Sequence, residues 1–144
     1  MRHRKAGRGL GRNSAHRWAL FRTLVTEFLR HERIETTLAK AKEAQQFSEW
    51  IISLARQGSL AARRQALAFV RDPAVVAQLF DEVGPRYRER PGGYTRLVKT
   101  RLRLGDRAQM AVLELTMRRD DQKTASKTAK TKPEGAKPAP GTAA

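Results

Sequence analysis

The hydrophobic period of this chain changes once, at Pro91-Gly92-Gly93, and that change limits what it can fold into. Before this point apolar residues recur every three or four positions, as on helices with one buried face. After it they begin to alternate, as on strands. The chain therefore reads as helices first and a β-hairpin second, an α+β pattern. The stretch 13–117 is long enough for one domain with a modest core, burying somewhat under ~70% of its unfolded surface.

Local signals set the expected boundaries. Asn13 or Ser14 caps a first helix to about His31, with Trp18, Phe21, Val25 and Phe28 as its buried stripe and Leu24 and Leu29 beside it. Residues 32–35 hold one apolar side chain, Ile34, and fit a brief strand. Thr36 or Thr37 caps a second helix to about Gln57, turning Ala44, Phe47, Ile51 and Leu54 inward, with Leu38, Ala41 and Ala55 alongside. Gly58 suits a left-handed stop and Ser59 caps a third helix to about Val70. Asp72-Pro73 opens a fourth through Val76, Leu79, Phe80 and Val83, which Gly84-Pro85 should end. Strands are expected over 94–103 and 108–117, joined across Leu104-Gly105-Asp106-Arg107. Ala111, Leu113, Leu115 and Met117 share one face of the second strand. Arg96, Lys99, Arg101 and Arg103 fall on both faces of the first, which suggests an outer side that meets something anionic.

Charge speaks to partners. The chain carries 30 Lys+Arg against 14 Asp+Glu, a formal +16 with a pI near 11.4. A balance of this kind points to nucleic acid, an anionic membrane or an acidic protein. The first dozen residues, MRHRKAGRGLGR, hold Arg2, His3, Arg4, Lys5, Arg8 and Arg12, three glycines and no acid. Such an arm has almost no apolar surface to offset the entropy of ordering it. Glycine lets its backbone approach another closely, and arginine grips phosphate with a planar fork of donors. An arm disordered when free and ordered by phosphates fits both facts. The tail, 118–144, is Lys, Ala, Thr and Pro of low complexity, and reads as a disordered electrostatic tether. The chain thus divides into a basic arm (1–12), a domain (13–117) and a tail.

Several classes are disfavoured. Without cysteine there are no disulfides or thiolate metal sites, and no apolar run approaches a membrane span. The start is Arg-rich and acid-free like a transit peptide, but its glycines oppose the amphipathic helix a transit peptide needs. Gly7, Gly9 and Gly11 match no nucleotide-binding loop, and His3, His16 and His31 lack metal-ligand spacing. No cofactor, metal or catalytic constellation is expected. Glu32 and Glu35 read as solvated carboxylates balancing Arg30 and Arg33, and His31 as a helix-terminal cation. Arg63, Arg64, Arg86, Arg88 and Arg90 read as a solvated face or a phosphate-facing one. Lys40 and Lys42 oppose the dipole of the second helix, so a nearby phosphate would explain them. Trp18 and Phe21 read as core or as base-stacking rings, and Trp50, off its helix's stripe, as a partner contact. Tyr94, between Gly93 and Thr95-Arg96, reads as structural or as a contact to RNA backbone.

Taken together, MRHRKAGRGLGR, His16-Arg17, HERIETTLAKAKE (31–43), GGYTRLVK (92–99) and GDRAQMAVLEL (105–115) resemble the family of the bacterial large-subunit ribosomal protein numbered seventeen. The resemblance covers residues 1 to about 117; Thr23, Gln45, Gln46 and Gln109 depart from the family's usual residues. It implies a two-layer α+β domain of about four helices on a small three-stranded sheet, the short early strand completing the hairpin. It also implies a non-enzymatic role in the cytoplasmic large subunit: binding and stabilising folded 23S ribosomal RNA near the polypeptide exit side, among neighbouring ribosomal proteins. No membrane, small-molecule substrate or homo-oligomer enters this role. The residues expected on RNA are Arg2, His3, Arg4, Lys5, Arg8, Arg12, Asn13, His16, Arg17, Arg22, Lys40, Lys42, Tyr94, Thr95, Arg96 and Arg101. The main alternative is a nucleoid-type, non-specific DNA-binding protein, because Lys/Ala/Pro tails occur there too. An RNA-modifying enzyme lacks a recognisable catalytic set, and a pure protein adaptor would bind without salt dependence.

Overall fold

The computed structural model describes residues 7–118; Arg2, His3, Arg4 and Lys5 and the tail from Arg119 lie outside the described residues. Asn13 is extended, and its side-chain oxygen accepts from the His16 N–H at 2.9 Å, starting α1 (Ser14–His31). The brief strand expected around Ile34 is β1 (Arg33–Thr37), which runs directly into α2 (Leu38–Gln57). Gly58 ends α2 in the left-handed region, and the Ser59 hydroxyl accepts from Ala62 to start α3 (Leu60–Phe69). Asp72 caps α4 (Pro73–Gln78), with proline in its first turn. After Pro91-Gly92-Gly93 come β2 (Thr95–Leu102) and β3 (Gln109–Leu115).

The sheet is antiparallel throughout, in the order β1-β3-β2. Ile34 and Leu97 both stand opposite Leu113, so the inner faces of three strands meet at one level. The ladder between β2 and β3 shifts register between Lys99 and Leu102, which breaks the alternation of the basic residues there. The helical layer covers the inner face. Phe21, Val25, Phe28 and Leu29 of α1 join Ala44, Ile51, Ile52 and Leu54 of α2 over Leu113 and Leu115 in one buried cluster. Enclosing a side chain the size of Phe28 contributes about 1.5–3 kcal/mol, so this shared layer ties helices and sheet into one body.

Several expectations require correction. Gly84-Pro85 does not end the fourth helix. The chain continues from α4 through a π-turn over Leu79–Val83 into a final helical turn, Gly84–Arg86, with Pro85 inside that turn, where its missing N–H is tolerated. Gly84 is needed for proximity: a Cβ there would lie 2.8 Å from the Ala55 carbonyl oxygen of α2. Thr37 occupies the cap position of α2 but makes no side-chain capping bond; it is also the last residue of β1, where sheet pairing with Met110 fixes it. Trp18 is 46% exposed, so it does not belong to the buried stripe of α1, and β3 ends at Leu115, so Met117 lies beyond the strand. Trp18 instead lies edge-on to Phe47 (5.4 Å) and Phe69 (6.2 Å), capping the aromatic cluster from outside. Residues 9–12 form a turn closed by Arg12 N–H to Gly9 C=O, and Leu10 packs on the core, so the arm is anchored before α1 begins.

Candidate nucleic-acid interface

The expected RNA-binding residues separate according to what their side chains already hold. Asn13 spends its side-chain oxygen on the α1 cap. Arg8 reaches towards Glu43 of α2 at 4.0 Å, and one Arg12 nitrogen donates to the Leu10 carbonyl at 2.8 Å while its Nε is buried without a partner among the described residues. His16 and Arg17 occupy the first turn of α1, which holds no acid. Lys40 and Lys42 occupy the start of α2, also without an acid in the first turn, and neither forms an ion pair among the described residues. Through Arg8 and Glu43 the anchored arm is linked to the start of α2, immediately beside Lys42.

Tyr94 and Thr95 do not belong with them. Tyr94 is 1% exposed, packs against the Tyr87 ring at 5.3 Å and donates its hydroxyl to the Pro91 carbonyl at 3.3 Å. Glu49 of α2 holds this segment: its carboxylate accepts from the backbone N–H of Tyr94 (3.1 Å) and Thr95 (2.8 Å) and from the Thr95 hydroxyl (2.6 Å). The aromatic next to two glycines is thus a core residue in a backbone turn, with no face left for RNA.

Arg96 and Arg101 remain exposed but are engaged on the outer side of the sheet. Arg96 donates two bonds to Glu114 of β3 at 2.9 and 2.5 Å, and Arg101 reaches Glu35 of β1 at 3.4 Å. Glu35 therefore balances Arg101, not Arg33. Glu32 departs further from expectation. It ends α1 in the left-handed region, is buried, and accepts two bonds from Arg86, with both side chains under a tenth exposed. Arg86 is accordingly no part of a solvated face, and Arg30 pairs with Glu27 and Asp72 instead.

Charge pairing leaves a one-sided remainder. Every carboxylate among the described residues except Glu89 is engaged by an arginine, a histidine or a backbone N–H. Arg17, Arg22, Arg33, Lys40, Lys42, Arg64 and Arg71 have no carboxylate partner among these residues. Two of the engaged carboxylates, Asp72 and Asp106, are held in their charged form. The Arg30 guanidinium, then the Ala74 N–H, lower the Asp72 carboxyl, and Arg103, then the Ala108 N–H, lower Asp106 to about 2. Among the described residues no cluster of three or more His, Cys, Asp or Glu could hold a metal, and no helix is long and apolar enough to cross a membrane.

Sequence reasoning passed over Arg71, which follows α3 and lines a cavity with Arg22 of α1. Its only sequence signal is a cation immediately before a helix cap. Arg22 itself lies over the Phe69 ring, its guanidinium carbon 6.0 Å from the centroid.

These features define a small basic α+β protein: a helical layer on a β1-β3-β2 sheet, with a carboxylate set consumed internally and a surplus of unpaired arginine and lysine. The family model of ribosomal protein L17 matches residues 20–116, and the chain belongs to this family. Among curated proteins it is similar to the large ribosomal subunit protein bL17 of Geobacter metallireducens, 55% identical over 115 residues. That match covers 80% of this chain and spans 65% of the relative's length.

Proposed function

We propose that this protein is a structural constituent of the large ribosomal subunit in the cytoplasm, where it binds and stabilises folded 23S ribosomal RNA and performs no catalysis. The observation that carries this reading is the charge remainder: nearly all carboxylates among the described residues are consumed within the fold, Glu43 by Arg8 of the arm, while Arg17 at the start of α1 and Lys40 and Lys42 at the start of α2 have no carboxylate partner there. Family membership supplies the context, since a ribosomal protein meets RNA packed at high phosphate density. Each phosphate that a lysine or arginine neutralises releases counterions, so binding of this kind weakens steeply with salt and reads RNA shape more than sequence.

In this reading the arm, 1–12, threads between RNA helices, with Arg2, His3, Arg4, Lys5, Arg8 and Arg12 offsetting phosphate repulsion. The domain stands on RNA through His16, Arg17, Arg22, Lys40 and Lys42, near the polypeptide exit side and beside other large-subunit proteins. Arg96 and Arg101 serve as exchangeable contacts, because each must share its guanidinium with a carboxylate of the sheet. Sedimentation of the tagged chain in a lysate gradient tests the proposal. Co-migration with the large subunit that is lost on RNase treatment is the expected result; migration with DNA, or free at the top at physiological salt, would overturn it.

A further inference from the structure

Beside the expected contacts lies a groove that they do not include. It has a volume of about 820 Å³ and runs between α1 and the α3–α4 junction, lined by Ala15, Trp18, Ala19 and Arg22 on one side and Arg71 and Asp72 on the other. This volume lies in the range of about 300–1,000 Å³ typical of sites for small ligands. Ala15, Ala19 and Thr23 recur every fourth residue on one helix face and keep its floor low. Trp18 is held edge-on by Phe47 and Phe69 and is still 46% exposed, so part of a rigid indole faces solvent at the groove.

The polar groups there are one-sided. Both acids lining the groove are occupied: Glu27 and Asp72 clasp Arg30 at 2.8 and 2.7 Å, and Asp72 also caps α4. Among the described residues Arg22 and Arg71 have no carboxylate partner, and Arg22 Nε is buried with no hydrogen-bond acceptor. A buried donor left unmatched is costly, so this nitrogen marks a place where an acceptor belongs. The hydroxyls of Thr23 and Thr26 donate to the Ala19 and Arg22 carbonyls of α1, and their remaining lone pairs can only accept. The groove thus combines an aromatic edge, two guanidinium groups and two hydroxyl acceptors. The complement is an anionic unit with a flat ring and its own donors.

We propose that this groove receives a single unstacked nucleotide of the ribosomal RNA, its base against Trp18, its phosphate between Arg22 and Arg71, and its 2′-hydroxyl or exocyclic amine towards Thr23 and Thr26. The proposal rests on the ribosomal reading above and adds to it one nucleotide-specific site, apart from the phosphate contacts of the arm. Unstacked bases are the elements of folded RNA that proteins grip individually, and a ring held by neighbouring rings is a stacking platform of low entropic cost.

The test uses the full chain assembled into large subunits. Ala15→p-benzoylphenylalanine, at an exposed position in the groove, is irradiated, and the crosslinked RNA position is mapped. In parallel, 2′-hydroxyl acylation is compared between subunits carrying the wild type, Trp18→Leu and Arg71→Gln; Arg71 is exposed and its loss leaves the core intact. A crosslink to one short RNA stretch is expected, with the same stretch becoming reactive in both variants. Trp18→Leu should also weaken retention roughly tenfold, the scale of one base–aromatic stack. A crosslink to a neighbouring protein, no crosslink from fully loaded subunits, or an unchanged reactivity pattern in both variants would overturn the site while leaving the ribosomal reading in place. Absence of the wild-type chain from subunits would overturn both.

Discussion

The outer side of the sheet and the face built by α1, the start of α2 and the α3–α4 junction both carry basic residues yet differ in what several of those residues hold. On the sheet, Arg96, Arg101 and Arg103 meet Glu114, Glu35 and Asp106, while Arg33, Lys99 and Arg107 are left without a carboxylate among the described residues. On the helices, Arg17, Arg22, Lys40, Lys42 and Arg71 meet no carboxylate among the described residues. The pairings distinguish these residues. A cation that already satisfies an acid must exchange one partner for another to bind RNA, with little net gain. An unpaired cation gains the whole of the counterion release. The comparison also separates residues that hold the fold from residues that face a partner.

That separation is most sharply tested where a cation is fully absorbed by the fold. Removing one partner of a buried ion pair strands the other, so Arg86→Gln should lower unfolding free energy by about 3–5 kcal/mol in urea titration. Its salt dependence of RNA retention should match that of the wild type under conditions where the variant is folded. A stable variant with a reduced salt slope would move Arg86 into the interface and break the distinction. Glu49→Gln is the next largest effect. It weakens the charge-assisted bonds to the Tyr94 and Thr95 backbone, at a cost of about 1.5–3 kcal/mol, and should raise amide exchange at the start of β2. Unchanged exchange there would show that packing of Tyr94, not Glu49, seats the strand.

The distinction explains how much could be read from the chain. Asn13, Gly58, Ser59 and Asp72-Pro73 act on the residues beside them, so helix limits were legible to within a residue or so. The second hairpin strand was legible from alternation, the hairpin's start from Pro91-Gly92-Gly93, the early strand from a short segment around Ile34, and the basic arm from composition. Long-range pairings were not. Glu32 and Arg86 stand 54 residues apart and Glu49 and Thr95 stand 46 apart, and nothing local marks either acid as buried. Tyr94 is easily misread because glycine next to an aromatic also describes a turn that seats a core ring. Trp18 fits the buried period of α1 but sits at its margin, where the period alone does not say how far the neighbouring helices reach. Gly84-Pro85 looks like a stop because proline breaks a helix interior; it is tolerated here because the π-turn before it places Pro85 in the first turn of a new helical segment.

Between unpaired and paired cations, the difference should appear as salt slope. Arg17→Gln with Lys42→Gln should leave the unfolding midpoint unchanged and reduce the slope of log K against log salt by about 0.7–0.9 for each phosphate left without its cation. Arg96→Gln with Arg101→Gln should reduce it by less, because the wild-type side chains share their charge with Glu114 and Glu35. Equal slopes for the two pairs would mean that RNA displaces the carboxylates freely, and the sheet would then count as interface.

The smallest effect is expected at the hairpin tip, where Arg103 and Asp106 pair in full view of solvent. Arg103 and the Ala108 N–H hold the Asp106 carboxyl at about 2, below its usual 3.8. A carboxyl lowered in the folded state adds stability above its unfolded value and loses it as pH falls through the folded one. The Asp106 contribution is therefore complete above about pH 4 and disappears towards pH 2. Wild type and Asp106→Asn should differ slightly in stability at neutral pH and converge near pH 2, and added salt should narrow the difference, as for any exposed pair. In the Arg103→Gln variant the Asp106 resonance should titrate nearer 3.8, since its first cause of lowering has gone. A titration that stays at about 2 without Arg103 would assign the lowering to the turn's backbone N–H groups, and the tip arginine would then join the cations that the fold leaves for a partner.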